Sequence, residues 1–243
     1  MNYNLTYKPF GEQAILIEWP SRIDLKISKD IIAFQHTIQQ LQHANIADSI
    51  IGYNTLTLKY NDDLKDVDQE IAVLKKTYAK PLIVQDVTNF SWQIPVCYEK
   101  EFGIDLQEIS DKSSLSIDEI IRLHTASTYG VYFIGFLPGF LYLGGLNEKL
   151  FMERKSTPRL QVAKGAVGIG GSQTGIYPTK SAGGWNIIGK TPISFFDIEN
   201  ELPCFANPGD EIQFVPVSVA DYKRIEEQVL ANTYVINKTA IND

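Results

Sequence analysis

Hydrophobic residues in the first eighty positions switch between two periods, and the switching predicts an order of elements. Tyr3–Tyr7 and Ala14–Trp19 read as strands, the second with Ile15, Ile17 and Trp19 on one face at period two. Ile27, Ile31, Phe34, Ile38 and Leu41 then recur at helical spacing, forming one stripe along a helix that Ser28 is expected to cap and that runs to about His43. Two more strands follow at Ser49–Tyr53 and Thr55–Tyr60. In the second, Leu56, Leu58 and Tyr60 alternate with Thr55, Thr57 and Lys59. Val67, Ile71, Leu74 and Tyr78 return to helical spacing. This ββαββα order buries every stripe if both helices lie on one face of a four-stranded antiparallel sheet.

The pattern changes near Lys80–Pro81, so an N-terminal domain over residues 1–85 and a second domain over 86–243 are expected. Trp92, Ile94 and Val96 alternate as a strand. Ser116 and Glu119 have the spacing of a capping box, opening a helix with Ile117, Ile120, Ile121 and His124 on its apolar face. The chain is then β-like as far as Pro216, and most of its 17 glycines fall between Gly130 and Gly209. Asn207–Asp210 reads as a turn into the strand Glu211–Val215. Ser218 or Asp221 starts a last helix carrying Val219, Tyr222, Ile225 and Val229. Asn242, Asp243 and the residues just before them read as a frayed tail.

Composition narrows the function classes. The 243 residues carry a formal charge of −7, which argues against binding a phosphate backbone, since that needs a basic face. Cys97 and Cys204 sit in no CxxC or Cys/His cluster, so no metal site is expected. The stretch Met1–Phe10 lacks the basic-then-apolar order of a signal peptide, and no apolar run approaches the ~20 residues of a membrane span. A cytoplasmic location with reduced thiols is the expectation.

Two nucleotide-binding formulas occur and neither has the right context. Gly184–Thr191 fits GxxxxGK[ST], but Pro192 follows and Ile193–Phe196 are strand formers, whereas a P-loop needs a helix at that point. Gly168–Gln173 begins like a dinucleotide fingerprint but has Gln173 in the sixth position and no helical pattern after it. Its glycines serve either tight turns and close strand crossings or a ligand held on bare N–H groups. Around them, Arg159, Lys164, Gln173, Tyr177, Ser181, Trp185 and Lys190 would suit a pocket for a small carboxylate or planar amide. His36 and His43 fall on the polar side of the first helix. His124 lies in register with isoleucines, which admits a core role as well as a catalytic one.

The segments His124–Tyr129, Gly135–Phe140, Gly168–Pro178 and Gly183–Trp185, in that order and spacing, resemble the KipI/PxpB family. This is the B subunit of the bacterial 5-oxoprolinase, also called allophanate hydrolase subunit 1. The resemblance runs over roughly residues 85–216, with the first third matching by pattern. It implies an α+β chain with a ferredoxin-like N-terminal domain and a cyclophilin-like β-barrel. It also implies action with a carboxyltransferase-related C subunit and an A subunit, inactivity of the chain alone, and ATP-dependent cleavage of 5-oxo-L-proline to L-glutamate, ATP being used at the level of the complex. Allophanate is a second candidate substrate. Another branch of the family inhibits a histidine kinase, for which the apolar turn Phe136–Phe140 would be a contact surface.

The expected site follows from these motifs. His124 would carry a proton, Arg159 would hold the substrate carboxylate, and Gln173 and Tyr177 would orient the amide. Phe136, Pro138, Trp185 and Lys190 would complete the substrate surface. Three departures from the family pattern stand out: Val162-Ala163-Lys164-Gly165 for Val-Pro-Ala-Gly, Ser181-Ala182-Gly183-Gly184-Trp185 for Ser-Pro-Gly-Gly-Trp, and Gly189-Lys190-Thr191 for Gly-Arg-Thr. Lys190 keeps a charge there but lacks the two-pronged donor geometry of arginine.

Overall fold

Strands β1 (Thr6–Pro9), β2 (Ala14–Glu18), β3 (Ile46–Ile51) and β4 (Thr55–Tyr60) form one antiparallel sheet in the order β1-β2-β4-β3. Its buried face brings Ile15 and Ile17 together with Leu56 and Leu58. Helices α1 (Leu25–Gln40) and α2 (Val67–Tyr78) add Ile27, Ile31, Phe34, Ile38 and Leu74 to the same cluster. The computed structural model describes residues 3–41, 45–83 and 88–241. The chain separates into two units, Met1–Val87 and Thr88–Asp243.

Three expectations for the first unit need correction. Asp24 caps α1, its carboxylate accepting from the Lys26 N–H; the Ser28 N–H already donates to the Asp24 carbonyl, so Ser28 lies inside the helix. β1 begins at Thr6 rather than Tyr3. β3 begins at Ile46 rather than Ser49, because a bulge between Ile46 and Asp48 breaks the alternation. His36 is partly buried, 3.2 Å from the Ile83 carbonyl, and His43 lies outside the described residues.

The second unit adds β5 (Phe90–Val96), α3 (Leu106–Ser113), α4 (Ile117–Ala126), β6 (Thr128–Ile134), β7 (Leu141–Gly144) and β8 (Arg159–Val162). Then come β9 (Ala166–Gly170), β10 (Gln173–Ile176), β11 (Ser181–Gly183), β12 (Asn186–Lys190), β13 (Glu211–Pro216), α5 (Val219–Leu230) and β14 (Lys238–Ala240). They make a mixed sheet β14-β5-β13-β6-β7 with β13 parallel to β5, a three-stranded sheet β10-β9-β12, and a two-stranded sheet β11-β8. β10 lies alongside β7 without a hydrogen-bonded ladder between them. Among the described residues the architecture is therefore mixed α+β with several sheets and no closed barrel.

Side chains from the sheets and from α3, α4 and α5 fill one core. Asp210 closes the turn into β13: its buried carboxylate accepts from the Phe90 N–H at 2.9 Å, the Asn207 N–H at 2.9 Å and the Trp92 indole N–H at 2.8 Å. The segment before Asn242 is not frayed, since β14 pairs with β5 through Lys238, Thr239 and Ala240; Asn242 and Asp243 lie outside the described residues. Ser116 caps α4 by accepting from the Glu119 N–H, but the Glu119 carboxylate turns outward to Arg122, so the capping box is half made. Ser116→Ala is expected to cost about 1 kcal/mol, read as a lower urea midpoint at unchanged slope.

Candidate functional site

The Gly168–Gly175 segment is a hairpin of β9 and β10 joined by the two residues Gly171 and Ser172. Gly171 sits at φ +65°, which favours glycine at the first turn position. Its N–H donates to the Met152 carbonyl and its carbonyl accepts from the Met152 N–H, so the Gly171 N–H is not left bare for an anion. Gly170 is small for another reason. A Cβ there would stand 2.3 Å from the Trp185 ring, so the indole lies directly on the strand backbone. At Gly168 and Gly170 the glycine is explained by close packing against Trp185.

Trp185 packs edge-on against Tyr177 and Phe140, at ring separations of 6.3 and 5.6 Å. The Arg154 guanidinium lies over its indole at 5.8 Å. Arg159 donates to the Trp185 carbonyl at 3.4 Å and to the Asp105 carboxylate at 2.6 Å. Burial pushes the Tyr177 phenol above its usual range, against the opposing pull of a backbone bond at Trp185 and the charges of Arg154 and Arg159.

Asp105 organises the charges. It is buried at the start of α3, and one oxygen takes Arg159 at 2.6 Å and Lys155 at 3.1 Å while the other accepts from the Ile187 N–H at 2.7 Å. Lys155 also contacts Glu108, which pairs with Lys112 at 2.7 Å. Hydrogen bonds from Lys112 and Lys155 hold the Glu108 carboxyl down at about 2, so it stays ionised. Burial works against the Lys155 charge, but the bonds to Glu108 and Asp105 outweigh it and raise its pKa. In front of this network opens a cleft of about 570 Å³, bordered by Lys112, Lys149, Phe151, Arg154, Lys155 and Asn186 among others.

The model for the carboxyltransferase domain, subdomain C and D, matches residues 5–206. The chain belongs to that family. It is 32% identical to the 5-oxoprolinase B subunit of Bacillus subtilis over 94% of this chain and 99% of that protein. The corresponding B subunit of Haemophilus influenzae is 37% identical, covering 85% and 95%. The crystal structure of TTHA0988, 28% identical, superposes with a TM-score of 0.73 over 85% of this chain, which spans 40% of that one.

Within this carboxyltransferase-domain chain the expected site residues separate. Arg159, Tyr177 and Trp185 come together, with Phe136 reaching the same cluster through an edge contact to Phe140 at 5.5 Å. Phe136 is 65% exposed and held at φ +63°, an uncommon backbone state for a bulky residue, at a turn where Pro138 is also exposed. Gln173 is partly buried at the mouth of the β9–β10 hairpin. Lys190 stands at the opposite end of β12 from Trp185, its ammonium over the rings of Tyr222 and Phe102 at 5.6 and 5.9 Å. It belongs to a different surface, and the Lys-for-Arg change there does not touch the Trp185 cluster. Ahead of Pro192, the Gly184–Thr191 segment contains strand β12 and no helix follows it, so its P-loop formula is accidental.

His124 departs furthest from its expected role. It is fully buried in the core, stacked on Phe214 at 4.6 Å. The Thr174 hydroxyl donates to the Gly168 carbonyl at 3.0 Å, so its oxygen takes the His124 Nε2 proton at 2.9 Å. That leaves Nδ1 as the acceptor for the Tyr98 hydroxyl at 2.8 Å. The ring is a neutral Nε2–H tautomer, and burial lowers its pKa to about 3. A ring with both nitrogens occupied and no path to solvent is not a proton carrier near neutral pH.

The residues that sequence reasoning missed are Asp105, Glu108, Lys155 and Arg154. Among the described residues no cluster of His, Cys, Asp and Glu is arranged to hold a metal, Cys97 and Cys204 are both free, and no helix is long and apolar enough to cross a membrane.

Proposed function

We propose that this chain is the B subunit of an ATP-dependent 5-oxoprolinase, acting with carboxyltransferase-type C and A subunits on 5-oxo-L-proline. The similarity to two 5-oxoprolinase B subunits over nearly their whole lengths supports the reading. So does one feature of the site: Arg159 is held rigidly by Asp105 beside Trp185, with guanidinium donors to spare for a carboxylate. On this reading the second unit derives from a cyclophilin-like fold and the first from a ferredoxin-like one.

Lactam hydrolysis needs a leaving group at the amide oxygen, because resonance opposes attack on C5. The γ-phosphoryl group would pass from ATP to that oxygen, releasing ADP. Water would add at C5, the C5–N bond would break with the nitrogen taking up protons, and a second water would release phosphate and glutamate. Arg159 would bind the ring carboxylate, the Trp185–Tyr177–Phe140 cluster would support the wall beside it, and Gln173 would face the amide. The cations near Arg159 would stabilise charge developing at the oxygen.

Glutamate release from 5-oxoproline and ATP by the reconstituted complex tests the activity. Arg159→Ala is expected to lower kcat/KM about a hundredfold, the ~2.7 kcal/mol of a charge-assisted pair, with Arg159→Lys recovering part of it. Undiminished turnover in Arg159→Ala would remove the carboxylate role.

A further inference from the structure

The geometry points to the cleft between α3 and the segment before β8 as a binding site for a nucleoside triphosphate, its phosphates on Lys149 and Arg154. The choice of ligand rests on the 5-oxoprolinase reading; the placement rests on three features of the cleft.

The first is charge. The whole chain carries −7, yet the cleft is bordered by Lys112, Lys149, Arg154 and Lys155 against Glu108 and Glu153, four cations less two anions, a local excess of two. Asp105 and Arg159 behind it cancel each other. Lys149 and Arg154 form no ion pair among the described residues; Lys149 reaches Glu119 only through its field and Arg154 lies over the Trp185 ring, so both keep N–H donors for a ligand. A concave site focuses such a field, and several converging cations suit a polyphosphate better than one carboxylate.

The second is an unused acceptor. Asn186 is 1% exposed, and its amide orientation is set because Nδ2 donates to two backbone carbonyls, Glu153 at 2.9 Å and Ile169 at 3.2 Å. Its Oδ1 accepts no hydrogen bond from any described residue, and Asn186 borders the cleft. No fully buried side-chain oxygen among the described residues lacks a partner, so this Oδ1 opens on the cleft, where a ligand N–H such as that of a nucleobase would take the place of water. The third is Phe151, 46% exposed at the edge of the cleft, a flat face on which a base can stack.

The cleft volume of about 570 Å³ is in the range of small-ligand sites. The site would lie beside Arg159, so a bound triphosphate would present its terminal phosphoryl group near the proposed carboxylate clamp.

Isothermal titration of the full chain with ATP, tripolyphosphate and adenosine tests this. ATP is expected to bind more tightly than tripolyphosphate, and both more weakly as salt rises. The double substitution Lys149→Ala, Arg154→Ala is expected to weaken both at least tenfold. Removing an exposed charge from β4 of the first unit, Lys59→Ala, should leave them unchanged. Phe151→Ala should weaken ATP but not tripolyphosphate. All three positions altered in the cleft are on the surface, and an unchanged melting curve confirms that each variant is folded. Absence of ATP binding to the wild-type chain at low salt, or ATP affinity unaltered in the double variant, overturns the site. ATP binding with this pattern in a chain whose complex releases no glutamate would overturn the activity and leave the site standing. An active complex in which the double variant of this chain still takes up ATP equally well would do the reverse.

Discussion

Asp105→Ala is expected to destabilise the second unit by about 3–5 kcal/mol, the range for removing one partner from a buried charge network. The side chain of Asp105 is 4% exposed, and it satisfies Arg159, Lys155 and the Ile187 N–H at once. Alanine leaves that N–H without an acceptor and sets two cations beside each other with only Glu108 to offset them. Partial exposure of Lys155 and Arg159 lets water recover some of the loss, which keeps the cost near the lower end. Urea unfolding of the variant measures it, and a midpoint within experimental error of the wild type would show that the network contributes no stability. The same substitution frees the Arg159 guanidinium from its orientation. In the reconstituted complex, Asp105→Ala and Arg159→Ala should therefore be strongly non-additive, the double variant losing little more activity than Arg159→Ala alone. Additive losses would mean that Asp105 does not position Arg159.

This network was also the least legible part of the sequence. Asp105 and Arg159 are 54 residues apart, and nothing local marks a lone aspartate between Ile104 and Leu106 as a partner for cations downstream. Its apolar flanks are the one hint that it is buried. α3 escaped notice for a related reason: only Leu106 and Ile109 are buried, too few to make a stripe, and Asp105 makes no side-chain cap bond. β14 buries no side chain, so its place is set by backbone pairing with β5 and by the Lys238 ammonium over Phe90 and Trp92 rather than by a hydrophobic period. The elements that were legible, β2, β4, α1 and α4, each bury three or more side chains at a regular period, and in α5 the partly buried Val229 extends the stripe of Tyr222 and Ile225. The glycine-rich run marked the right neighbourhood for a packing reason, since Gly168 and Gly170 make room for Trp185. Sequence proximity brought Arg159, Tyr177 and Trp185 correctly together. It failed for Lys190, because a five-residue strand of ~3.3 Å per residue carries its ends to different surfaces.

His124 yields the second large effect, one that changes with pH. At pH 7.5, His124→Ala is expected to cost about 3–4 kcal/mol, since it opens a cavity against Phe214 and strips the Tyr98 and Thr174 hydroxyls of a partner. In the folded chain the ring stays neutral down to about pH 3, whereas in the unfolded chain it takes up a proton near pH 6.5. The native state is therefore favoured by this group above pH 6.5, and that advantage falls as pH drops from 6.5 towards 3, by about 1.4 kcal/mol per unit. The alanine variant has no such group. The stability gap between wild type and variant should narrow by about 2 kcal/mol between pH 7 and pH 5, although carboxylate titrations shift both curves together. Paired urea titrations at those two pH values measure the gap directly. A gap that stays constant would mean that the ring already protonates in the native state, and His124 would then regain the proton-carrying role that its buried, fully bonded position denies it. The same logic reaches the reaction: a ring neutral throughout the working range contributes no inflection near pH 6.5 to kcat/KM, so any inflection found there belongs to another group in the complex.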